Sequence, residues 1–377
     1  MPIKIAIPKE NASGEKRVAM VPAVVPKLKK LGVDIKVQKG AGVATRIPDE
    51  AWGEDVSLTS GPAKTLSGAD IVLRVGPPSI KEVEDLKPGT VLFSFVYANR
   101  NPDVVKALRD NKITCFAMEL VPRTTRAQAM DALSSQAALA GYHGALLGAT
   151  HLARILPMMT FAVGSIRPAK VLVMGAGVAG LQAIATARRL GAMVEGYDVR
   201  SAVKEQVESL GAKFVDTGVK AEGEGGYARE LTDDEKAQVR EVITKHIQAS
   251  DVVITTAAIP GRPSPKLIDD EQIAGMKSGA VIIDLAAEGG GNTTATKPGE
   301  SVEVGSVLIE APLNIPSRLA EHASELYAKN LINFLGLIVT EEGELNLNWE
   351  DDIVAGSVLT HEGEIKHEAS RQAVEGE

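Results

Sequence analysis

Cysteine is almost missing from this chain. The one thiol, Cys115 in "KITCFAMEL", rules out a disulfide framework and reads as a small buried hydrophobe of a reduced compartment. Aromatics are only 3% of residues, a balance typical of α/β proteins, and the formal charge of -8 without basic clusters gives no reason to expect nucleic acid as partner. The six histidines are scattered, and "HEGEIKH" has the wrong spacing for the two-histidine zinc helix, so no metal site is expected. No P-loop and no nucleophile elbow occurs. The longest aliphatic runs, such as "LINFLGLIVT", are well short of the ~20 residues that cross a bilayer. "MPIKIAIPKE" carries no secretory pattern, and a cytoplasmic location without direct membrane insertion is expected.

What the chain does have is Gly, Val, Ile, Ala and Leu in short alternating segments. "IKIAIP", "VDIKVQKG", "ADIVLRVG", "GTVLFSF" and "KITCFAMEL" read as strands. Between the last two, "NPDVVKALRDN" reads as a helix with Asn101 as cap and Pro102 at its first position. A long Ala/Leu pattern from about Asp131 to Leu156 leads through an irregular "PMMTFAVGSIRP" to a second set, "AKFVDT", "SDVVITTA", "GAVIIDLA" and "SVLIEA". Strands alternating with helices imply parallel sheets covered on both faces. The expected fold is α/β, with two doubly wound, Rossmann-like domains, a cleft between them and long interdomain helices. Residues 1–130 and 331–377 are assigned to the first domain and 131–330 to the second. The tail is expected to form a hairpin at Glu362-Gly363, with "ASRQAVEGE" frayed beyond it. "DTGVKAEGEGGYAREL", too polar for core, is read as a mobile surface loop.

Gly175, Gly177 and Gly180 form G-x-G-x-x-G between the strand "KVLVM" and the helix "VAGLQAIATARRLG". In that context the glycines permit a tight turn, close approach of backbone N-H groups to a pyrophosphate, and packing of helix on strand. Asp198 ends the following strand, where a carboxylate accepts from ribose hydroxyls and repels a 2'-phosphate. Three glycines merely ending a strand is the bland alternative, and strand, helix, second strand and acid together argue against it. NAD(H) is the expected cofactor. Arg200 is open to three readings: a 2'-phosphate partner, a partner for Asp198, or a solvated side chain. Gly40 and Gly42 are assigned to a simple turn.

"RTTRAQAMDALSSQ", residues 123 to 136, sets Arg123, Arg126, Gln128, Asp131, Ser134 and Ser135 before the long helix. Taken alone it is slightly better explained by Asp131 as the N-cap, with Arg126 and Gln128 solvated. Its position at the mouth of an expected cleft argues instead for gripping a nicotinamide.

"PKENASGEKRVAMVP", "RAQAMDALSSQAALAGY", "VLVMGAGVAGLQAIATARRLGA", "DVRSAVKEQVESLGAKF" and "ITTAAIPGRPSP" resemble the alanine dehydrogenase and nicotinamide nucleotide transhydrogenase superfamily. The second and fourth are similar to the NAD(H)-binding alpha component of proton-translocating transhydrogenase, in the version where it is a separate soluble polypeptide. The resemblance implies hydride transfer from NADH to NADP+ held on a partner subunit, coupled to proton movement through a membrane-spanning subunit. It implies a homodimer, peripheral to the inner membrane through those partners. By matching positions, it implies that Arg123, Asp131 and Ser134 orient the dihydronicotinamide, with Thr124 and Thr125 beside them, and that Gln128 reaches towards the partner's nucleotide. It places Val178, Ala179 and Gly180 at the pyrophosphate, Asp198, Val199 and Arg200 at the adenosine ribose, Gly226 and Ala258 nearby, and Tyr227 on a closing loop. Alanine dehydrogenase-like chains carry a substrate-binding lysine and a histidine where this chain has Arg74 and Tyr97, which disfavours amino-acid deamination. Arg17 is as readily a structural ion-pair residue. An alanine dehydrogenase-like enzyme and a non-catalytic NAD-sensing module are the alternatives.

Overall fold

The computed structural model describes residues 2–219, 229, 231–259 and 262–376. Gly226 and Tyr227 therefore lie outside the described residues. Along the chain the strands are β1 (Lys4–Ile7), β2 (Asp34–Gln38), β3 (Val56–Thr59), β4 (Ile71–Leu73), β5 (Val91–Ser94), β6 (Thr114–Ala117), β7 (Met159–Phe161), β8 (Gly164–Ile166), β9 (Lys170–Met174), β10 (Met193–Tyr197), β11 (Lys213–Phe214), β12 (Val252–Thr255), β13 (Val281–Asp284), β14 (Ser301–Val304), β15 (Val307–Glu310), β16 (Val358–His361) and β17 (Glu364–Ile365). They divide between two compact units, residues 1–136 with 316–377, and 137–315.

Unit 1 holds a sheet of order β17-β16-β6-β5-β4-β1-β2-β3. The six strands from β6 to β3 in that order are parallel, and β16 and β17 add an antiparallel edge beside β6. Strands β4, β5 and β6 are buried along their whole length, because helices cover both faces and leave no polar side to alternate with. The helix Ala320–Ile338 sends Tyr327, Leu331, Phe334 and Ile338 into this core. That packing places the whole helix in unit 1, whereas the sequence reading divided the chain at 330/331.

Unit 2 has the order β11-β10-β9-β12-β13-β15-β14, with every neighbouring pair parallel except β14 with β15. Both units follow the doubly wound order, with the switch point between β1 and β4 in unit 1 and between β9 and β12 in unit 2. The long helix is Ala132–His151, ending before Leu156. Within unit 2 it presents Gly141, where an added Cβ would lie 2.0 Å from the Ala179 carbonyl oxygen, so the two backbones meet directly.

Two segments, one read as irregular and one as frayed, form regular elements. "PMMTFAVGSIRP" contains the antiparallel hairpin β7-β8, whose residues are all exposed, including Phe161 and Ile166. "ASRQAVEGE" forms most of the helix Glu368–Glu375, which buries Ser370 and Val374 and is tied down by the Glu375–Arg109 ion pair. The Glu362-Gly363 turn closes β16 on β17 with both residues at positive φ, as a tight hairpin requires.

Candidate functional site

The carboxyl ends of parallel strands at a switch point are where doubly wound sheets open a ligand crevice. In unit 1 that place is occupied by the protein's own charges. Arg74, directly after β4, gives Nη1 to Glu82 (2.6 Å) and Nη2 to Glu10 (3.3 Å), and all three are buried. Glu10, from the loop after β1, also accepts from the backbone N-H of Val75 and Gly76. Burial pushes the Glu10 carboxyl up against the opposing pull of Arg74. Tyr327 donates to the Arg74 carbonyl at 2.7 Å. Arg17 is held by Glu15 at 2.7 Å and gives Nη1 to Gln136 at 3.0 Å, a structural ion pair. Tyr97 sits at φ 51, its N-H and that of Val96 fixed by the Glu119 carboxylate.

In unit 2 the corresponding place is open and built from glycine. Gly175 follows β9 at φ 99, donates its N-H to the Tyr197 carbonyl at 2.8 Å, and leaves no room for a Cβ, which would lie 2.5 Å from Thr256 Oγ1. A Cβ at Gly180 would lie 1.8 Å from the Gly175 carbonyl oxygen, so the helix Val178–Arg189 rests on the turn at this point. Gly177 differs. A Cβ there meets nothing within 4 Å, so its surroundings within the protein are empty space. Gly177 is the N-cap of that helix and offers no side-chain cap, which leaves the first backbone N-H groups, at Val178 and Ala179, directed outwards at the positive end of the helix dipole. Such an end suits a pyrophosphate.

Asp198, one residue past β10, is 9% exposed and accepts four hydrogen bonds. Oδ2 takes the Ala176 N-H (2.8 Å) and Arg200 Nη2 (2.9 Å), and Oδ1 takes the Arg200 N-H and Nε (both 2.9 Å). A carboxylate has about four acceptor directions, and all are in use. Burial pushes this carboxyl up, but the bonds from Arg200 and Ala176 outweigh it and hold the group below the ordinary aspartate range. Of the three readings of Arg200, pairing with Asp198 is the one realised. A cavity of about 160 Å³ lies beside Asp198, lined by Ser201, Lys204, Phe214 and Thr217. Val199 is partly buried against the core, and Ala258 is exposed after β12.

Sequence reasoning missed the groups that hold this edge. Thr256 ties the strand ends together through the Gly175 carbonyl at 3.0 Å. Asn292, fully buried, accepts from the Ala257 N-H and donates to the carbonyls of Ala257 and Pro265, closing the base of the loop that carries Ala258. Asp284 fixes Asn292 through its N-H at 2.7 Å. A glycine run just before Asn292 was the only signal in the sequence.

The polar loop lies in unit 1, with Arg123, Thr124, Thr125 and Gln128 exposed. Asp131 caps the long helix, Oδ1 accepting the Ser134 N-H at 2.9 Å and Oδ2 the Ser134 hydroxyl at 2.5 Å. Asp131 and Ser134 are thus brought together. Arg126, expected to be solvated, instead grips Asp351 with two bonds of 2.7 and 2.6 Å and also reaches Asp352. Those hydrogen bonds hold the Asp351 carboxyl at about 2, while Asp351 itself caps the helix Asp352–Ser357. Among the described residues no cluster of three or more histidine, cysteine or acidic side chains is poised for a metal, and no helix is long and apolar enough to cross a membrane.

Family models described as "Alanine dehydrogenase/PNT" match the chain in two stretches, the N-terminal domain over residues 6–140 and the C-terminal domain over 144–368. The chain is 48% identical to the first portion of the divided alpha subunit of NAD(P) transhydrogenase from Rhodospirillum rubrum, covering 97% of this chain and 98% of that one. It is 41% identical to the protein of the same name from Rickettsia prowazekii, over 99% and 98%. Among solved structures, a transhydrogenase from Sinorhizobium meliloti superposes with a TM-score of 0.87 at 45% identity, covering 96% of this chain and 99% of that one. An L-alanine dehydrogenase superposes at 0.81 with 21% identity over 99% of both, a likeness of fold alone.

Proposed function

The chain belongs to the alanine dehydrogenase/PNT family, and on that premise we propose that it is the NAD(H)-binding component of a proton-translocating NAD(P) transhydrogenase. The observation that carries the reading is the open glycine turn of unit 2 beside Asp198, while the switch point of unit 1 is filled by Arg74, Glu10 and Glu82. One dinucleotide site per chain follows. When bound, NADH supplies a hydride whose electron pair leaves with the hydrogen for the ring of NADP+ on a partner subunit, so one nucleotide is oxidised as the other is reduced.

No proton passes to a side chain in that exchange, which makes a general acid or base unnecessary. The protein's task is to place and to exclude water. In this reading the N-H groups of Val178, Ala179 and Gly180 hold the pyrophosphate. Asp198, Val199 and Arg200 hold the adenosine ribose, the hydroxyls taking the places of Arg200 on the carboxylate. Arg123, Asp131 and Ser134 orient the nicotinamide with Thr124 and Thr125 beside them, and Gln128 extends towards the partner's nucleotide. Ala258, Gly226 and Tyr227 are assigned to the same nucleotide. The component works at the cytoplasmic face of the inner membrane through NADP(H)-binding and membrane-spanning subunits. A homodimer is included in the proposal, supported by the apolar residues Met158, Met159, Phe161, Val163 and Ile166 exposed on and around the hairpin β7-β8.

The test is to mix the protein with its NADP(H)-binding partner and follow oxidation of NADH against reduction of an NADP+ analogue. Transfer is expected only with both proteins present. Absence of transfer with both nucleotides bound overturns the proposal, and NADH oxidation by pyruvate and ammonia without a partner would favour an alanine dehydrogenase-like enzyme instead. Phe161→Asp is expected to convert a dimer to a monomer in sedimentation; an unchanged mass sinks the hairpin's role in the homodimer.

A further inference from the structure

The polar loop is clamped from beneath. Ala127 (0% exposed) and Met130 (7%) seat both ends of a single 3-10 turn in the core of unit 1, leaving Gln128 and Ala129 exposed between them. The Ala129 carbonyl accepts two side-chain amides, Asn330 Nδ2 at 2.9 Å and Asn333 Nδ2 at 3.1 Å. These asparagines are three residues apart in the helix Ala320–Ile338 and so share a face. Asn330 also accepts the Ser135 hydroxyl at 2.9 Å. Its one side chain therefore holds the chain on both sides of Asp131. From Ser135 the bonds continue to Gln136 (3.2 Å) and on to Arg17 and the Ala323 carbonyl.

Asn330 is 7% exposed on a helix whose neighbouring buried positions are Tyr327, Leu331 and Phe334. Burying an amide there costs desolvation that an apolar residue of like size avoids, and only its bonds to Ala129 and Ser135 offset it. Those bonds specify where Gln128 and Asp131 point. We infer that Asn330, assisted by Asn333, is a positioning residue for hydride transfer, fixing the Gln128–Asp131 turn without touching either nucleotide. The inference rests on the function proposed above and names residues that the family motif does not contain.

The experiment measures single-turnover hydride transfer from NADH to partner-bound NADP+, with NADH affinity measured separately. Wild-type transfer comes first, since its absence falls on the proposed function and not on Asn330. Asn330→Ala is expected to slow transfer about tenfold or more, the scale of a small misplacement of a reacting group, with NADH affinity within about twofold. Gln128→Ala should then cost less in the Asn330→Ala background than in the wild type, because the side chain it removes is already misplaced. A transfer rate within about twofold of wild type, or equal and additive losses, overturns the inference. Should Asn330→Ala fail to fold, the exposed Asn333→Ala decides: a drop of about threefold or more at unchanged melting temperature supports it, and an unchanged rate overturns it.

Discussion

Gly177→Ala and Gly180→Ala change one hydrogen to a methyl three residues apart in the same turn, and the structure gives them opposite consequences. Gly177 has φ -78 and ψ -167, which alanine adopts freely, and its Cβ meets no protein atom within 4 Å. The cost to the ligand-free fold is the poorer N-cap, about 0.5–1 kcal/mol, or a melting shift of roughly 2–4 °C per kcal/mol. On the function proposed above, the methyl nevertheless stands where the pyrophosphate would approach the helix N-terminus. Losing one hydrogen bond to a charged oxygen costs about 1.5–3 kcal/mol, so NADH should bind about tenfold to over a hundredfold more weakly. At Gly180 the Cβ would lie 1.8 Å from the Gly175 oxygen, where ordinary contact begins at 3.4 Å, so helix and turn must separate by up to 3.4 - 1.8 = 1.6 Å. That overpacking costs about 1–3 kcal/mol of stability, with affinity lost as well. Calorimetric NADH titration and thermal unfolding of both variants make the comparison. A Gly177→Ala protein that binds NADH within about twofold of wild type would refute the assignment of this open face to the pyrophosphate.

Arg74→Ala leaves Glu10 and Glu82 buried without their cation and should cost about 3–5 kcal/mol, read as a lower denaturant midpoint; an unchanged midpoint contradicts that role. The Asp198 carboxyl is held below its ordinary value, so its contribution to stability is present above about pH 4 and is lost as pH falls through the folded value. The stability gap between wild type and Asp198→Asn should therefore be constant near neutrality and narrow below about pH 4, and a gap independent of pH would count against it. Burial raises the Cys115 thiol well above its ordinary range, so a thiol reagent should label it only after denaturation, and rapid labelling of the native protein would place Cys115 elsewhere.

The regions of the fold legible in the sequence were those where one local reason sufficed. β9, Gly175 and the helix after it form a contiguous signature, and short aliphatic runs bounded by glycine located both parallel sheets. β3 and β14 escaped notice because edge strands carry little buried apolar surface to mark them, three of four residues in β3 and all four in β14 being at least partly exposed. β7-β8 escaped because its apolar residues face outwards and so show no alternation between a core and a solvent side. The loop at 123–136 showed its polar residues plainly, but the partners that hold it, Asn330, Asn333 and Asp351, come from about two hundred residues further along. A shorter separation, 35 and 27 residues, hid Asn292, whose partners Ala257 and Pro265 lie in another strand-end loop.

Asp198 is never bare. Because the Arg200 guanidinium already supplies two of the four bonds on its oxygens, a ribose binding there as proposed would gain only the difference between its own bonds and those it evicts, and on its departure the guanidinium bonds would return. A carrier that must discard its spent nucleotide every cycle benefits from such near-cancellation, since tight retention would throttle turnover at release. On the proposed reading the arginine would act as a built-in understudy, keeping the Asp198 carboxylate paired with protein while the seat changes hands.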